Sequence, residues 1–143
     1  VMVVDVDRFK NVNDRYGHGV GDVLLSTVSS RMQGVLRPYD GIGRYGGEEF
    51  LVVIQGAGES ETHDVAERLR AAVAAGPVVT GALRVDVSVS IGVAWADTPP
   101  GDPHTLVLAA DGALYRAKAA GRNCVRYAPV APGLPQESGV LPG

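Results

Sequence analysis

The sequence predicts an α+β sandwich, a largely antiparallel sheet of about five strands packed against helices. Three observations carry that expectation. Short β-branched apolar runs are interleaved with stretches of helical periodicity. Two of the apolar runs are separated by Gly46-Gly47, the mark of a tight hairpin. The length, 143 residues with 45% hydrophobic and 20% charged, fits one globular domain with an adequate core.

Met2-Val3-Val4 with Val6 reads as a strand buried on both faces, ending in Asp5-Val6-Asp7 with a carboxylate at its C-terminal edge. Arg8 to Tyr16 is short and polar, with Asp7 placed to cap a helical turn. Gly17, Gly19 and Gly21 break the chain before a helix from Asp22 to about Leu36, with Leu24, Val28, Met32 and Val35 at helical spacing and Pro38 beyond its end. Tyr39 to Tyr45 form a short strand, the two glycines reverse it through positive φ, and Glu49 to Gln55 return. After the 56–60 loop a second long helix places Val65, Leu69, Ala72 and Val73 on one face, until Gly76-Pro77 stops it. Leu83 to Trp95 alternate as one long strand with Val85, Val87, Val89, Ile91 and Val93 on one side. Asp102-Pro103 starts a third helix that turns Leu106, Ala110, Leu114 and Ala117 inward and ends at Gly121. Cys124 to Tyr127 close as the last strand, so the folded domain spans 1–128. Pro129, Pro132, Pro135 and Pro142 among Gly and Ser make 129–143 a Pro/Gly-rich tail expected to be disordered.

Composition narrows the function classes. A net charge of −3 provides no diffuse basic field for nucleic acid. The single Cys124 excludes an internal disulfide and suits a reducing, cytoplasmic compartment. No apolar run approaches the ~20 residues of a membrane span. Val1 already lies in a strand-like run, so no signal peptide is read and the chain is expected to be a fragment of a longer protein.

The chemistry concentrates at Arg44-Tyr45-Gly46-Gly47-Glu48-Glu49-Phe50. Two adjacent glutamates on the rim of a core strand repel each other and lose hydration, so they call for a cation or a proton, unless the hairpin tip is simply solvated. If the strand ending at Asp5 neighbours the hairpin, three carboxylates share one rim. That is a hard-oxygen set of the kind Mg²⁺ or Mn²⁺ prefers.

Several blocks together carry a resemblance: Asp5-Val6-Asp7-Arg8-Phe9-Lys10, Asn13-Asp14-Arg15-Tyr16-Gly17-His18, Gly21-Asp22 and Gly46-Gly47-Glu48-Glu49-Phe50. Ser90-Ile91-Gly92-Val93 and the run from Ala113 to Asn123 extend it. In this order and spacing they resemble the GGDEF domain of diguanylate cyclases, over nearly all of the folded part. The resemblance implies a nucleotidyl-cyclase, palm-like fold that joins two GTP into cyclic di-GMP with release of pyrophosphate. It also implies two Mg²⁺ or Mn²⁺ per active site, held by Asp5, Glu48, Glu49 and the Val6 carbonyl. Which glutamate is chiefly a ligand and which a base stays open. Asn13 and Asp22 match the readers of guanine. Phe9, Lys10, Gly46, Gly47, Lys118 and Arg122 match positions that bind the rest of the nucleotide, Lys118 and Arg122 its phosphates.

Arg37-Pro38-Tyr39-Asp40 matches the family's RxxD product-inhibition site, with Arg68 as a further partner and Arg37 and Asp40 expected to face outward together. A helix-end ion pair is the plainer reading of the same two residues. Asp7, Asp14 and His18 are assigned to turn and core hydrogen bonding. The resemblance further implies catalysis across a homodimer, an N-terminal sensory domain, no nucleic-acid partner and no membrane contact by this domain, with any membrane anchor upstream. The family's leading helix with its D-x-L-T-G-L-x-N-R motif is missing, so the domain reads as N-terminally truncated. The competing expectation is a catalytically weak GGDEF domain that binds GTP or cyclic di-GMP. A palm-like nucleotidyltransferase acting on nucleic acid fits the charge poorly.

Overall fold

The structure, a computed structural model, describes residues 1–128; the expected 129–143 tail lies outside the described residues. In chain order the elements are β1 (Met2–Val6), α1 (Phe9–Tyr16), α2 (His18–Gln33), β2 (Gly41–Arg44), β3 (Glu49–Val53) and α3 (Glu59–Ala74). They continue as β4 (Val78–Thr80), β5 (Leu83–Val85), β6 (Val89–Ala94), α4 (His104–Ala119) and β7 (Val125–Ala128). Five strands form one sheet in the order β2-β3-β1-β6-β7, antiparallel except where β6 and β7 run parallel. The expected α+β class and largely antiparallel five-stranded sheet are borne out.

β1 lies at the centre, and its nearly continuous apolar run, interrupted only by Asp5, is the reason: all five of its residues are buried. One face, with Met2, Val4, Val6, Phe50 and Val52, packs on Leu24, Val28 and Met32 of α2 and Val65, Leu69 and Val73 of α3. The other face, with Val3, packs on Ala110 and Leu114 of α4. Gly92 lets α4 lie directly on β6, because a Cβ there would strike the carbonyl of Ala110 and the amide of Leu114. That contact fixes the height of α4, and with it Lys118. The C-terminal end of α3 is closed by Arg31, whose guanidinium donates to the carbonyls of Val73 (2.8 Å), Gly76 (2.6 Å) and Pro77 (3.0 Å).

Several sequence expectations are corrected. α2 begins at His18, not Asp22, with Gly19 and Gly21 inside it. Only Gly17, at φ 88, breaks the chain, and Gly21 serves packing instead. Asp7 caps no helix: Arg8 in the left-handed region precedes α1 without a side-chain cap, and the Asp7 carboxylate turns to Ser88 and Ser90. The long strand Leu83–Trp95 is two strands. β5 folds back on β4 about Gly81, at φ 59, as a separate hairpin, and the chain bends through 86–88 before β6. The alternation of valines runs through that bend, so periodicity alone could not place it.

Tyr39 lies outside β2 and is exposed. The turn between β2 and β3 spans four residues, Tyr45 to Glu48, and neither glycine takes a positive φ. It is held by the Tyr45 amide donating to the Glu49 carbonyl (2.9 Å) and by Arg44 Nη2 donating to the Gly47 carbonyl (2.6 Å). Asp14 and His18 are exposed on α1 and α2, not core groups. Among the described residues no helix is long and apolar enough to cross a membrane.

Candidate active site

The rim formed by the end of β1 and the start of β3 gathers the acidic residues. Asp5 stands directly opposite Glu49 in the β1–β3 register, and the Val6 amide donates to the Glu48 carbonyl at 3.1 Å. Asp5 is 4% exposed, since the strand carrying it is covered on both faces. A buried carboxylate needs a partner. It has one in Lys118, from the last turn of α4, whose Nζ donates to Asp5 Oδ2 at 3.0 Å.

The glutamates feel what remains. Glu48 and Glu49 both titrate above the usual carboxylate range, chiefly because burial disfavours their charge and then because Asp5 repels it. Lys118 opposes the shift at both, and Asp111 on α4 adds to it at Glu49. Asp111 escaped the sequence reading. The signal was its place seven residues before Lys118, two helical turns along one face.

Among the described residues no three His, Cys, Asp or Glu side chains are close enough to hold a metal ion as they stand. The expected trio is thus narrower in the structure: Asp5 and Glu49 are paired across the β1–β3 register, and Asp5 engages Lys118. The chemistry of the donor set still suits a hard divalent cation. These are oxygen ligands in excess of the single ammonium beside them, two of them pushed toward holding protons, which a cation would relieve.

Asn13 and Asp22 are brought close by the packing of α1 on α2. A Cβ on Gly21 would collide with Asn13 Oδ1, so this glycine makes room for the Asn13 side chain immediately before Asp22. Asn13 Oδ1 is buried and has no hydrogen-bond partner. Asp22 is exposed at the edge of a groove of about 460 Å³ between α2 and the hairpin, lined also by Leu25, Ser26, Arg44 and Phe50. Arg44, not singled out from the sequence, therefore faces this groove while it pins the glycine turn. Phe9 and Lys10 open α1, where first-turn amides lack helical partners; Lys10 is exposed and Phe9 half-buried. No neighbouring atom crowds a Cβ at Gly47, and at Gly46 the nearest is Glu49 Oε2, 3.5 Å away. Open space over these glycines leaves the turn's backbone accessible. Arg122 is exposed in a left-handed turn after α4, at φ 64.

Arg37 and Asp40 meet each other. The Asp40 carboxylate accepts from the Arg37 backbone amide at 2.8 Å and lies 3.5 Å from its Nε. Arg37 also reaches Glu61 at 3.1 Å and stacks over Tyr39. The two do not face outward together: the Asp40 side chain is 2% exposed beneath Arg37. Arg37 Nη2 and Asp40 Oδ1 nevertheless remain buried without partners. Arg68 is exposed on α3, two turns beyond Glu61.

A five-stranded sheet flanked by helices defines the α+β class, with an acidic, lysine-paired rim at the end of its central strand. The family model described as "Diguanylate cyclase, GGDEF domain" matches residues 1–124, and the chain belongs to that family. It is 41% identical over 126 residues to Diguanylate cyclase DosC of Escherichia coli K12, covering 87% of this chain and 27% of that protein. It is 38% identical over 125 residues to Diguanylate cyclase A of Treponema denticola, covering 87% of this chain and 34% of that protein. The chain thus spans about a third or less of these relatives. Among solved structures, the GGDEF domain of DgcB from Caulobacter crescentus in complex with c-di-GMP superposes with a TM-score of 0.81 at 33% identity. That match covers 88% of this chain and 75% of the other.

Proposed function

We propose that this domain binds GTP and, paired with a second copy, condenses two GTP into cyclic di-GMP and two pyrophosphates. The observation that carries the reading is the Asp5–Glu49 pair set opposite each other beside Lys118. In each half-reaction a ribose 3′-oxygen attacks the α-phosphorus of the other GTP. A P–O3′ bond forms, the bond to the β-phosphate bridging oxygen breaks, and pyrophosphate leaves. The 3′-hydroxyl proton needs an acceptor, and the raised affinity of Glu48 and Glu49 for protons suits them to that task. Asp5, Glu48, Glu49 and the Val6 carbonyl would hold Mg²⁺ or Mn²⁺, two per site, which when bound supply neutralisation of the triphosphate and acidification of the 3′-hydroxyl.

Asn13 and Asp22 would read guanine: the carboxylate accepts from N1–H and N2–H, and the unpartnered amide oxygen of Asn13 is an acceptor waiting for a donor. Lys118 would divide its charge between Asp5 and phosphate, with Arg122 and the amides at Phe9 and Lys10 completing the phosphate contacts. Because one site holds one GTP, two domains must face each other, and proximity controls the rate. Arg37 and Asp40, with their unused Nη2 and Oδ1, would bind product as an inhibitory site. A cytoplasmic setting and control by an N-terminal sensory domain complete the reading.

The test is incubation of the protein with GTP and Mg²⁺, with products identified by mass spectrometry, for the parent and Asp5→Asn. Cyclic di-GMP from the parent and none from the folded variant is expected. Equal synthesis by both would remove Asp5 from the chemistry, and GTP binding without any turnover would favour a binding module.

A further inference from the structure

Asp7 makes more contacts than a turn residue requires. Its Oδ1 accepts from Ser90 Oγ at 2.6 Å, and its Oδ2 accepts from Ser88 Oγ at 2.6 Å and from the Asn123 backbone amide at 2.9 Å. Its own amide donates to the Ser88 carbonyl at 3.0 Å. One carboxylate thus joins three segments distant in sequence: the β1–α1 turn, the entry to β6 and the α4–β7 turn.

The α4–β7 turn is the one that needs holding. Gly121, Arg122 and Asn123 are successive left-handed residues, at φ 114, 64 and 45. Glycine adopts that region freely and asparagine tolerates it, but two consecutive side-chain-bearing residues, Arg122 among them, persist there only when the surroundings impose it. Few groups do so. The Gly121 amide donates to the Lys118 carbonyl at 3.3 Å and the Arg122 amide to the Ala117 carbonyl at 3.1 Å, Arg70 donates to Asn123 Oδ1 at 3.1 Å, and the Asn123 amide is taken by Asp7. The bonds from Arg70 and to Asp7 are both charge-assisted, and only the one to Asp7 holds the backbone of the turn. Arg122 therefore has its backbone fixed on both sides, by α4 before it and by Asp7 after it. Ser90, held by the same carboxylate, stands opposite Asp5 in the β1–β6 register.

We propose that Asp7 is a positioning residue: it imposes the left-handed turn at 121–123 and so sets where Arg122 reaches relative to the acidic rim. What Arg122 reaches, the nucleotide's phosphates, rests on the function proposed above. Asp7 itself touches no substrate.

The experiment is a double-mutant cycle on the binding of α,β-methylene GTP with Mg²⁺, in the parent, Asp7→Ala, Arg122→Ala and the double variant, together with hydrogen exchange at the Asn123 amide. Arg122→Ala and Asp7→Ala should each weaken binding about tenfold, and the double variant should be no weaker than either single within about twofold. The Asn123 amide should be protected in the parent and exchange freely in Asp7→Ala. Asp7→Asn should restore both readouts, since its amide oxygen can accept from Asn123 while its NH₂ donates to Ser90 Oγ. If Asp7→Ala does not fold, Asp7→Ser, one atom too short to reach Asn123, takes its place in the same cycle. Losses that multiply to about a hundredfold in the double variant, or an Asn123 amide equally protected in both, overturn the proposal. Unchanged binding in Arg122→Ala alone overturns the phosphate role instead, and exchange at Asn123 then still decides what Asp7 does.

Discussion

Gly21→Ala separates folding from recognition at one atom. The new methyl would collide with Asn13 Oδ1, with Asn13 Cγ 3.0 Å and Phe9 Cζ 3.2 Å away. Were Asn13 immovable, overpacking of this kind would cost about 1–3 kcal/mol. Its side chain makes no hydrogen bond that holds it in place, and its Oδ1 is buried without a partner, a state that itself costs about 1–3 kcal/mol. Turning Asn13 away relieves both, and Ala in a helix interior adds about 0.5–1 kcal/mol of stability over Gly. These effects offset, so the variant should unfold in urea within about 1 kcal/mol of the parent. Binding has no such offset. Losing the Asn13 contact to guanine should cost about 1–3 kcal/mol, roughly 5- to 150-fold in GTP affinity, and should narrow the gap between GTP and ATP. Calorimetric titration with each nucleotide, beside urea unfolding, reads all three quantities. Parent-like GTP affinity with ATP still excluded would refute the placement of Asn13 against the base.

Arg31→Met removes three carbonyl contacts from the end of α3 and should lower unfolding free energy by about 1.5–3 kcal/mol, measured in urea; an unchanged midpoint would mean that water replaces the guanidinium there at no cost. Glu48 and Glu49 have folded-state pKa values raised above 4.5, so the native state holds more protons than the unfolded chain above that pH. The stability they contribute is full below 4.5 and is lost as pH rises through their raised values. Glu48→Gln/Glu49→Gln should therefore flatten the fall in stability over that window in urea titrations without divalent ions, and a slope identical to the parent's would contradict the shared rim. Arg37→Ala should blunt inhibition by added cyclic di-GMP in progress curves; equal inhibition of parent and variant would leave Arg37 and Asp40 a helix-end ion pair.

The fold was legible wherever a pattern had one meaning. The run around Val3 could only be a strand covered on both faces, and it is the central strand. The glycines were harder because one residue type answers several needs. Gly17 serves φ, Gly21 gives Asn13 room, and Gly92 admits the α4 backbone, yet all three read alike in the sequence. The break of the expected long strand was invisible because Val85, Val87 and Val89 keep period two through a bend held by Asp7 and Ser88, more than eighty residues apart. Long-range hydrogen bonds leave no local signal, and the same holds for Arg31 on α3. Site residues were legible as types and positions, but their pairings were not. Lys118 on Asp5 joins residues 113 positions apart, brought together by the packing of α4 on Gly92 and Val3.

That packing ties the rim's chemistry to the fold's centre. Ending an apolar strand in a carboxylate puts charge where water cannot follow, because neighbours on both faces that bury Val3 and Val4 also bury Asp5. Buried charge must be met by an opposite charge. α4 meets it with Lys118, and one ammonium does not balance three carboxylates. Glu48 and Glu49 bind protons more readily chiefly because they are themselves partly buried, and the repulsion of Asp5 adds to that appetite for protons or a cation. A strand of ordinary exposure would screen its carboxylate with water and remove the Asp5 part of that shift, leaving the part due to the glutamates' own burial. The chemistry of this rim therefore follows in part from where β1 sits in the sheet, because the central position buries Asp5 and lets its charge act on the glutamates at close range.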